Sequence, residues 1–206
     1  MKNQNKVRAY LAGPDVSLPD PIAVANRKKE LCAKYGIEGV FPLDTEIDLS
    51  GLSKPEQGYL ISNANENLIK SCDIVIANIT PFRGPSADVG TVFEIGFARG
   101  LGKYVFAYTN DDRRFAKRTQ DWIAAIDYPN ADENQVKLIE KDSNGMSIED
   151  FGLVDNLMID CSVISITTPG SLLGSAEHVV KNIPISERFT SLLVFEKCLE
   201  FVCTFI

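Results

Sequence analysis

The sequence predicts an α/β fold: a doubly wound parallel sheet of about five strands with helices on both faces. Two observations carry this. Short apolar runs alternate with helix-spaced segments in a β-α-β-α-β-α-β order. Glycine and proline punctuate the segment ends. Residues 7–12 form the first apolar run, stopped by Gly13-Pro14, so the ligand-facing end of that strand reads LAGPD. Residues 21–34 have helical spacing (Ile22, Val24, Ala25, Leu31), with Pro21 near N1 and Gly36 at C′. A short second strand covers residues 39–41, and a loop rich in Asp, Ser, Gly and Pro leads to Lys54. Residues 56–70 read as a helix feeding a third strand at 73–79. Residues 91–101 are the next helix, ended by Gly102, and 103–108 the fourth strand. Beyond Thr109 the pattern weakens. A loop with a helix is expected over 111–126, a polar insertion over 127–149, a fifth strand at 161–167, and helices at 171–181 and 186–201. No boundary divides the 206 residues, which read as a single domain with a helical C-terminal extension at 171–206.

Composition narrows the function classes. The formal net charge is −7, from 28 acids against 21 bases. That balance disfavours nucleic acid and anionic membrane surfaces as partners. The five cysteines lack CxxC spacing and are odd in number, the pattern of a reduced intracellular protein. The polar N-terminus has no signal-peptide core, and no apolar run reaches the roughly 18 residues that span a bilayer. A cytoplasmic location is expected. The apolar final segment, broken by Glu196, Lys197 and Glu200, reads as an amphipathic helix docking on the body or on another subunit.

The chemistry concentrates in residues 71–94, SCDIVIANITPFRGPSADVGTVFE: a buried strand, a Pro/Gly-rich loop and a helix start. Open α/β sheets bind ligands beyond the carboxyl ends of their strands. Three carboxylates, Asp73, Asp88 and Glu94, punctuate this unit. Two readings of Glu94 stand side by side. Thr91-x-x-Glu94 matches a capping box; alternatively, a poorly hydrated carboxylate beside a glycine-rich loop is a competent nucleophile. Asp73 fits a solvated or capping role as well as an acid, and Asp88 fits an Asx-turn as well as a ligand contact. Taken together, acids in close company separate one another's pKa values, the arrangement that breaks glycosidic bonds. Gly84 and Gly90 would let a ligand approach the backbone. Arg83 would bind a phosphate, cap a helix or pair with an acid. The single histidine, His178, argues against His-based triads and multi-histidine metal sites, and no P-loop or GxGxxG follows the first strand.

LAGPD, then CDIVIANITPFRGPSADVGTVFEIGFA, then GLVDNLMI together resemble the nucleoside 2-deoxyribosyltransferase family over about residues 7–160. The resemblance implies a flavodoxin-like fold, with neither cofactor nor metal. It implies exchange of the base of a 2′-deoxyribonucleoside for another free base through a deoxyribosyl-enzyme, in nucleotide salvage. By that resemblance Glu94 is the nucleophile, Asp73 the acid that protonates the departing base, and Tyr10 the hydroxyl that orients Glu94. Asp88 helps bind the deoxyribose. Asn156 and Met158 are contributed across subunits, implying a homo-oligomer. Gly13 and the Phe82-Arg83-Gly84 turn line the substrate, with Phe82 and Phe41 as candidate walls for the base. The insertion at 127–149 and the tail at 171–206 depart from the shorter bacterial members. The alternatives are an N-glycoside hydrolase of deoxynucleosides or their 5′-monophosphates, and a non-catalytic nucleotide sensor.

Overall fold

Five parallel strands in the order β2-β1-β3-β4-β5 form the centre of the molecule in a computed structural model, described here for residues 6–165 and 180–206. The strands are β1 (Arg8–Ala12), β2 (Glu38–Val40), β3 (Ile74–Asn78), β4 (Tyr104–Tyr108) and β5 (Ile164–Ser165). β1 aligns Ala9 with Ile74 and Tyr10 with Val75, and β3 aligns Ile76 with Phe106. Pleating therefore sorts side chains onto two faces with period two. Ala9, Leu11, Ile74, Ile76, Phe106 and Tyr108 share one apolar cluster; Tyr10, Ala12, Val75, Ala77, Val105 and Ala107 share the other. β3 is buried along its whole length, as expected of a strand covered on both sides.

Helix α1 (Pro21–Lys34) covers the first face, and its bounds are those the sequence predicts. The Asp20 carboxylate accepts from the Ala23 amide at 3.0 Å, and Pro21 sits in the first turn. At its end Gly36 adopts φ 75°, while the Gly36 and Ile37 amides donate to the Ala33 and Cys32 carbonyls. This is a Schellman stop that a residue with a Cβ would strain. On the same face lies the C-terminal helix (Leu193–Phe205), shorter at its start than the sequence predicts because a 3₁₀ turn (Ile185–Glu187) precedes it. Its buried Phe195, Cys198, Leu199 and Val202 dock on the sheet, and Phe201 and Phe205 meet Phe106 edge-on at 6.0 and 5.3 Å. Two of the expected features, His178 and most of the helix at 171–181, lie outside the described residues.

Helices α2 (Lys54–Ser71) and α3 (Val89–Gly100) cover the second face. α2 begins two residues before the expected start because Ser53 and Glu56 form a reciprocal capping box. Beyond β4, the chain forms α4 (Phe115–Asp127), the short α5 (Glu133–Val136) and α6 (Leu157–Asp160). Between α5 and α6 runs a turn-rich stretch held by one antiparallel bridge, Lys141 to Ser147. Among the described residues no helix is long and apolar enough to cross a membrane.

Candidate active site

The site is built where α3 turns its inner side to β1. Tyr10 is fully buried in mid-strand, and its hydroxyl donates to Glu94 Oε1 at 2.5 Å. The two residues are 84 positions apart, and only the packing of α3 across the sheet brings them together. Glu94 is partly buried in a groove of about 270 Å³ whose lining includes Gly58, Ser62, Asn65, Gly90 and Phe93. That volume is just under the roughly 300 Å³ at which small-molecule sites begin. Burial pushes the Glu94 carboxyl up to about 7; the Tyr10 hydroxyl pulls it down, and the negative charge of Asp88 pushes it up again. Burial and the adjoining carboxylate hold the Tyr10 phenol far above its ordinary range. No cation is among the influences on Glu94. The result is a carboxylate split between its two forms at neutral pH, a state suited to attack on carbon and later departure from it.

The capping reading of Glu94 does not hold. Helix α3 starts at Val89, and its N-cap is Asp88, whose Oδ2 accepts from the Thr91 amide at 3.0 Å and from its hydroxyl at 3.2 Å. Asp outranks Thr as an N-cap, so the helix begins two residues before the expected Thr91. Thr91 is then the third helical residue, and Glu94 falls in the second turn with its side chain free to reach Tyr10.

Asp73 does not join them, which corrects its expected placement beside Glu94. It is exposed at the amino end of β3, and its Oδ2 accepts from the Arg8 amide at 2.8 Å. Asp88 follows the loop at the other end of that strand. Five strand residues separate the two ends by about 16 Å, so neighbours in sequence are not neighbours around a ligand. Asp73 is neither a lining residue of the groove nor among the charges acting on Glu94.

Of the other candidate residues, Gly13 and the 82–84 turn follow the carboxyl ends of β1 and β3, and the rest lie elsewhere. Gly13 follows β1 in tight quarters: a Cβ there would stand 2.4 Å from Asp15 Oδ2 and 2.9 Å from Asn78 Cβ. Phe82 meets Phe189 edge-on at 5.8 Å, and the Arg83 guanidinium lies 4.7 Å from the Phe82 ring centroid. A Cβ on Gly84 would meet nothing within 4 Å, so the glycine is not needed for protein packing. Phe41 belongs to the core on the α1 face, away from the groove, which removes it as a wall for a base. Asn156 caps α6: its Oδ1 accepts from the Met158 amide at 3.0 Å and its Nδ2 donates to Glu149 at 2.7 Å. Met158 is 73% exposed, and neither residue lines the groove of its own chain.

Two supports escaped the sequence reading. The fully buried Asp155 accepts from the Ser86 hydroxyl at 2.5 Å and the Ala87 amide at 3.0 Å, tying the loop before Asp88 to the 151–158 patch. The buried Arg118 donates to the carbonyls of Pro85 and Val154. The signal available was Asp155 itself, inside GLVDNLMI beside Asn156.

A sequence profile of the nucleoside 2-deoxyribosyltransferases matches residues 9–158. The 2-deoxyribosyltransferase from Leishmania mexicana superposes with a TM-score of 0.54 at 26% identity, covering 86% of this chain and 99% of that one. An uncharacterized protein from Schizosaccharomyces pombe is 28% identical over 191 residues, covering 89% of this chain and 85% of its own. With a profile match across most of its length and a parallel α/β sheet to carry it, the chain belongs to the nucleoside 2-deoxyribosyltransferase family.

Proposed function

We propose that this protein exchanges the base of 2′-deoxyribonucleosides through a covalent deoxyribosyl–Glu94 intermediate. The observation that carries this reading is the 2.5 Å bond from the buried Tyr10 hydroxyl to a Glu94 carboxyl that burial holds near 7. A Glu94 oxygen attacks C1′ as the C1′–N bond breaks, and the base leaves with the bonding electrons and takes up a proton. A nitrogen of the incoming base then attacks C1′ as it gives up its proton, restoring the one taken by the first base, and the Glu94 carboxylate departs. Lacking a 2′-hydroxyl, the sugar tolerates the positive charge that builds at C1′ in both steps. Tyr10 fixes the rotamer of Glu94. Asp88, whose charge acts on Glu94, is offered for binding the deoxyribose, with Gly13 and the 82–84 turn as further contacts. With Asp73 bonded to Arg8, the proton of the departing base comes from another donor.

A second copy completes the site in this reading. Around the groove the isolated chain exposes Tyr59 and Phe93, at 69% and 57%, and Met158 projects at 73%. Covering these side chains would exclude water and favour transfer over hydrolysis. The openness of the groove in one chain also supports the second reading, hydrolysis by water at the same C1′. Incubating the pure protein with deoxyinosine and adenine separates the two by chromatography. Deoxyadenosine plus hypoxanthine supports exchange; free deoxyribose with no new nucleoside replaces it with hydrolysis; no consumption, with the protein folded, removes both.

A further inference from the structure

In a chain with a net charge of −7, four of the eight arginines line one cavity of about 320 Å³ between the loop after β3 and helix α4. Two are already neutralised. Arg113 binds Asp111 at 2.6 Å, and the buried Arg118 faces Asp155 at 3.5 Å. The guanidinium groups of the other two, Arg83 and Arg188, meet only aromatic rings among the described residues: each lies 4.7 Å from a ring centroid, over Phe82 and Phe189 respectively. Those rings meet edge-on at 5.8 Å, so the two cations form one continuous lip. One acid lines the cavity, Asp121, and it is engaged by Lys117 and Arg113. The wall thus carries uncompensated positive charge.

The backbone supports the same conclusion. Arg83 has φ 56°, and among the described residues it alone holds a left-handed backbone without being a glycine. Such a conformation is costly and persists where the surroundings enforce it. Here the Phe82 amide closes the turn onto the Ser86 carbonyl at 3.0 Å. Half-exposed Trp122 offers an aromatic surface on the α4 side.

We propose that this cavity binds a phosphate monoester, with Arg83 and Arg188 as its charged contacts and Trp122 beside it. Planar guanidinium forks match phosphate oxygens in geometry and charge. Because the loop that carries Arg83 runs on from that turn to Asp88, the N-cap of α3, the 5′-phosphate of a deoxynucleotide is one source and free inorganic phosphate the other. The first source would extend the substrate class of the proposed exchange reaction and rests on that reading; the binding site itself does not.

Trp122 is the chain's single tryptophan, so its fluorescence reports on this cavity alone. Titrations of inorganic phosphate and of deoxyadenosine 5′-monophosphate, with chloride at matched ionic strength as control, are expected to give saturable changes that weaken as salt rises. Arg188→Gln is expected to weaken both about tenfold, while Arg188→Lys, which keeps the charge, recovers part of the loss. The Arg188 carbonyl that accepts from Asn110 is untouched by either substitution. If the monophosphate binds at least tenfold more tightly than phosphate and Arg188→Gln raises its KM but not that of deoxyadenosine, the source is the substrate. Equal binding of the two assigns the cavity to free phosphate. Glu94→Gln should abolish exchange and leave both titrations intact, which separates this proposal from the reaction. Absence of a phosphate-dependent signal at low salt, or titrations unchanged in Arg188→Gln, overturns it.

Discussion

Two sequestered acids flank the first strand, and they are treated in opposite ways. Asp15 is buried after β1 with Lys28 Nζ 2.8 Å away, itself buried and lying over the rings of Tyr108 and Phe195 at 5.6 and 5.3 Å. Glu94, reached from β1 through Tyr10, has no cation acting on it among the described residues; a hydroxyl is its partner and the Asp88 carboxylate the like charge that acts on it. A buried charge must be paired, hydrogen-bonded or neutralised by a proton. The first acid is paired, and it ties the loop after β1 to α1. The second is left to settle between proton and charge near neutrality, where a cationic carbon would find a willing partner. The difference separates a structural acid from the one proposed for chemistry: the first has a cation 2.8 Å away, the second a hydroxyl.

Breaking the chemical member should have the largest effect. Glu94→Gln is expected to lower exchange by about 10⁴-fold or more, in line with loss of a nucleophile, measured by product chromatography at pH 7. The same substitution should stabilise the fold at alkaline pH. The folded-state carboxyl is raised, so its relative benefit is complete below the unfolded value of 4.5 and is lost as pH rises through about 7. At pH 8 the glutamine variant should exceed the parent by about 2–3 kcal/mol, and at pH 4 the gap should close. A variant less stable than the parent at both pH values would show that Glu94 is a structural acid after all.

Breaking the structural member should do the reverse. Lys28→Met leaves Asp15 buried without its cation and is expected to cost about 3–5 kcal/mol of stability, read by denaturant unfolding. Exchange per folded molecule should be nearly unchanged. Adding Asp15→Asn should recover part of the loss, because no charge then remains buried. Unaltered stability in Lys28→Met would mean that the pair contributes nothing to the fold.

Tyr10→Phe and Asp88→Asn sharpen the contrast by moving Glu94's titration in opposite directions. The Tyr10 hydroxyl lowers the carboxyl's pKa, so its loss should shift the acid limb of the exchange profile above pH 7 and reduce turnover at pH 7 about tenfold. The Asp88 charge raises it, so Asp88→Asn should move that limb to lower pH. Asparagine still caps α3, so stability should change by under about 1 kcal/mol. Shifts in the same direction for both variants would dissociate the profile from Glu94.

Much of this frame was legible in the chain. Helix α1 is bounded as read because Pro21 and Gly36 mark its ends independently of the core. The strands follow from apolar runs that stop at Gly, Pro or Asp. Where reading and structure part, two local signals compete. Asp88 displaces Thr91 as the cap of α3, and the tail spends residues 185–187 in a 3₁₀ turn before its helix begins. The Tyr10–Glu94 contact was illegible from spacing, since it depends on how α3 lies across β1; the family resemblance suggested it. Arg118 and the Arg188 lip are tertiary meetings of loops that no local pattern announces.

Asp73 is where linear proximity misled, and it makes the smallest expected effect the most discriminating. It looks like a member of an acid cluster because Asp73, Asp88 and Glu94 share a 22-residue stretch, yet a strand spends residues on distance while a helix returns them. With its Oδ2 accepting from the Arg8 amide, Asp73 closes the start of β1 against β3. Asparagine offers the same amide an oxygen, so Asp73→Asn should change stability by less than about 0.5 kcal/mol and leave kcat for exchange within about twofold. A loss of a hundredfold in kcat, with KM and the unfolding midpoint unmoved, would mean that the acid swings into the groove during turnover. Proton delivery to the departing base would then belong to Asp73 and not to a donor on the groove wall.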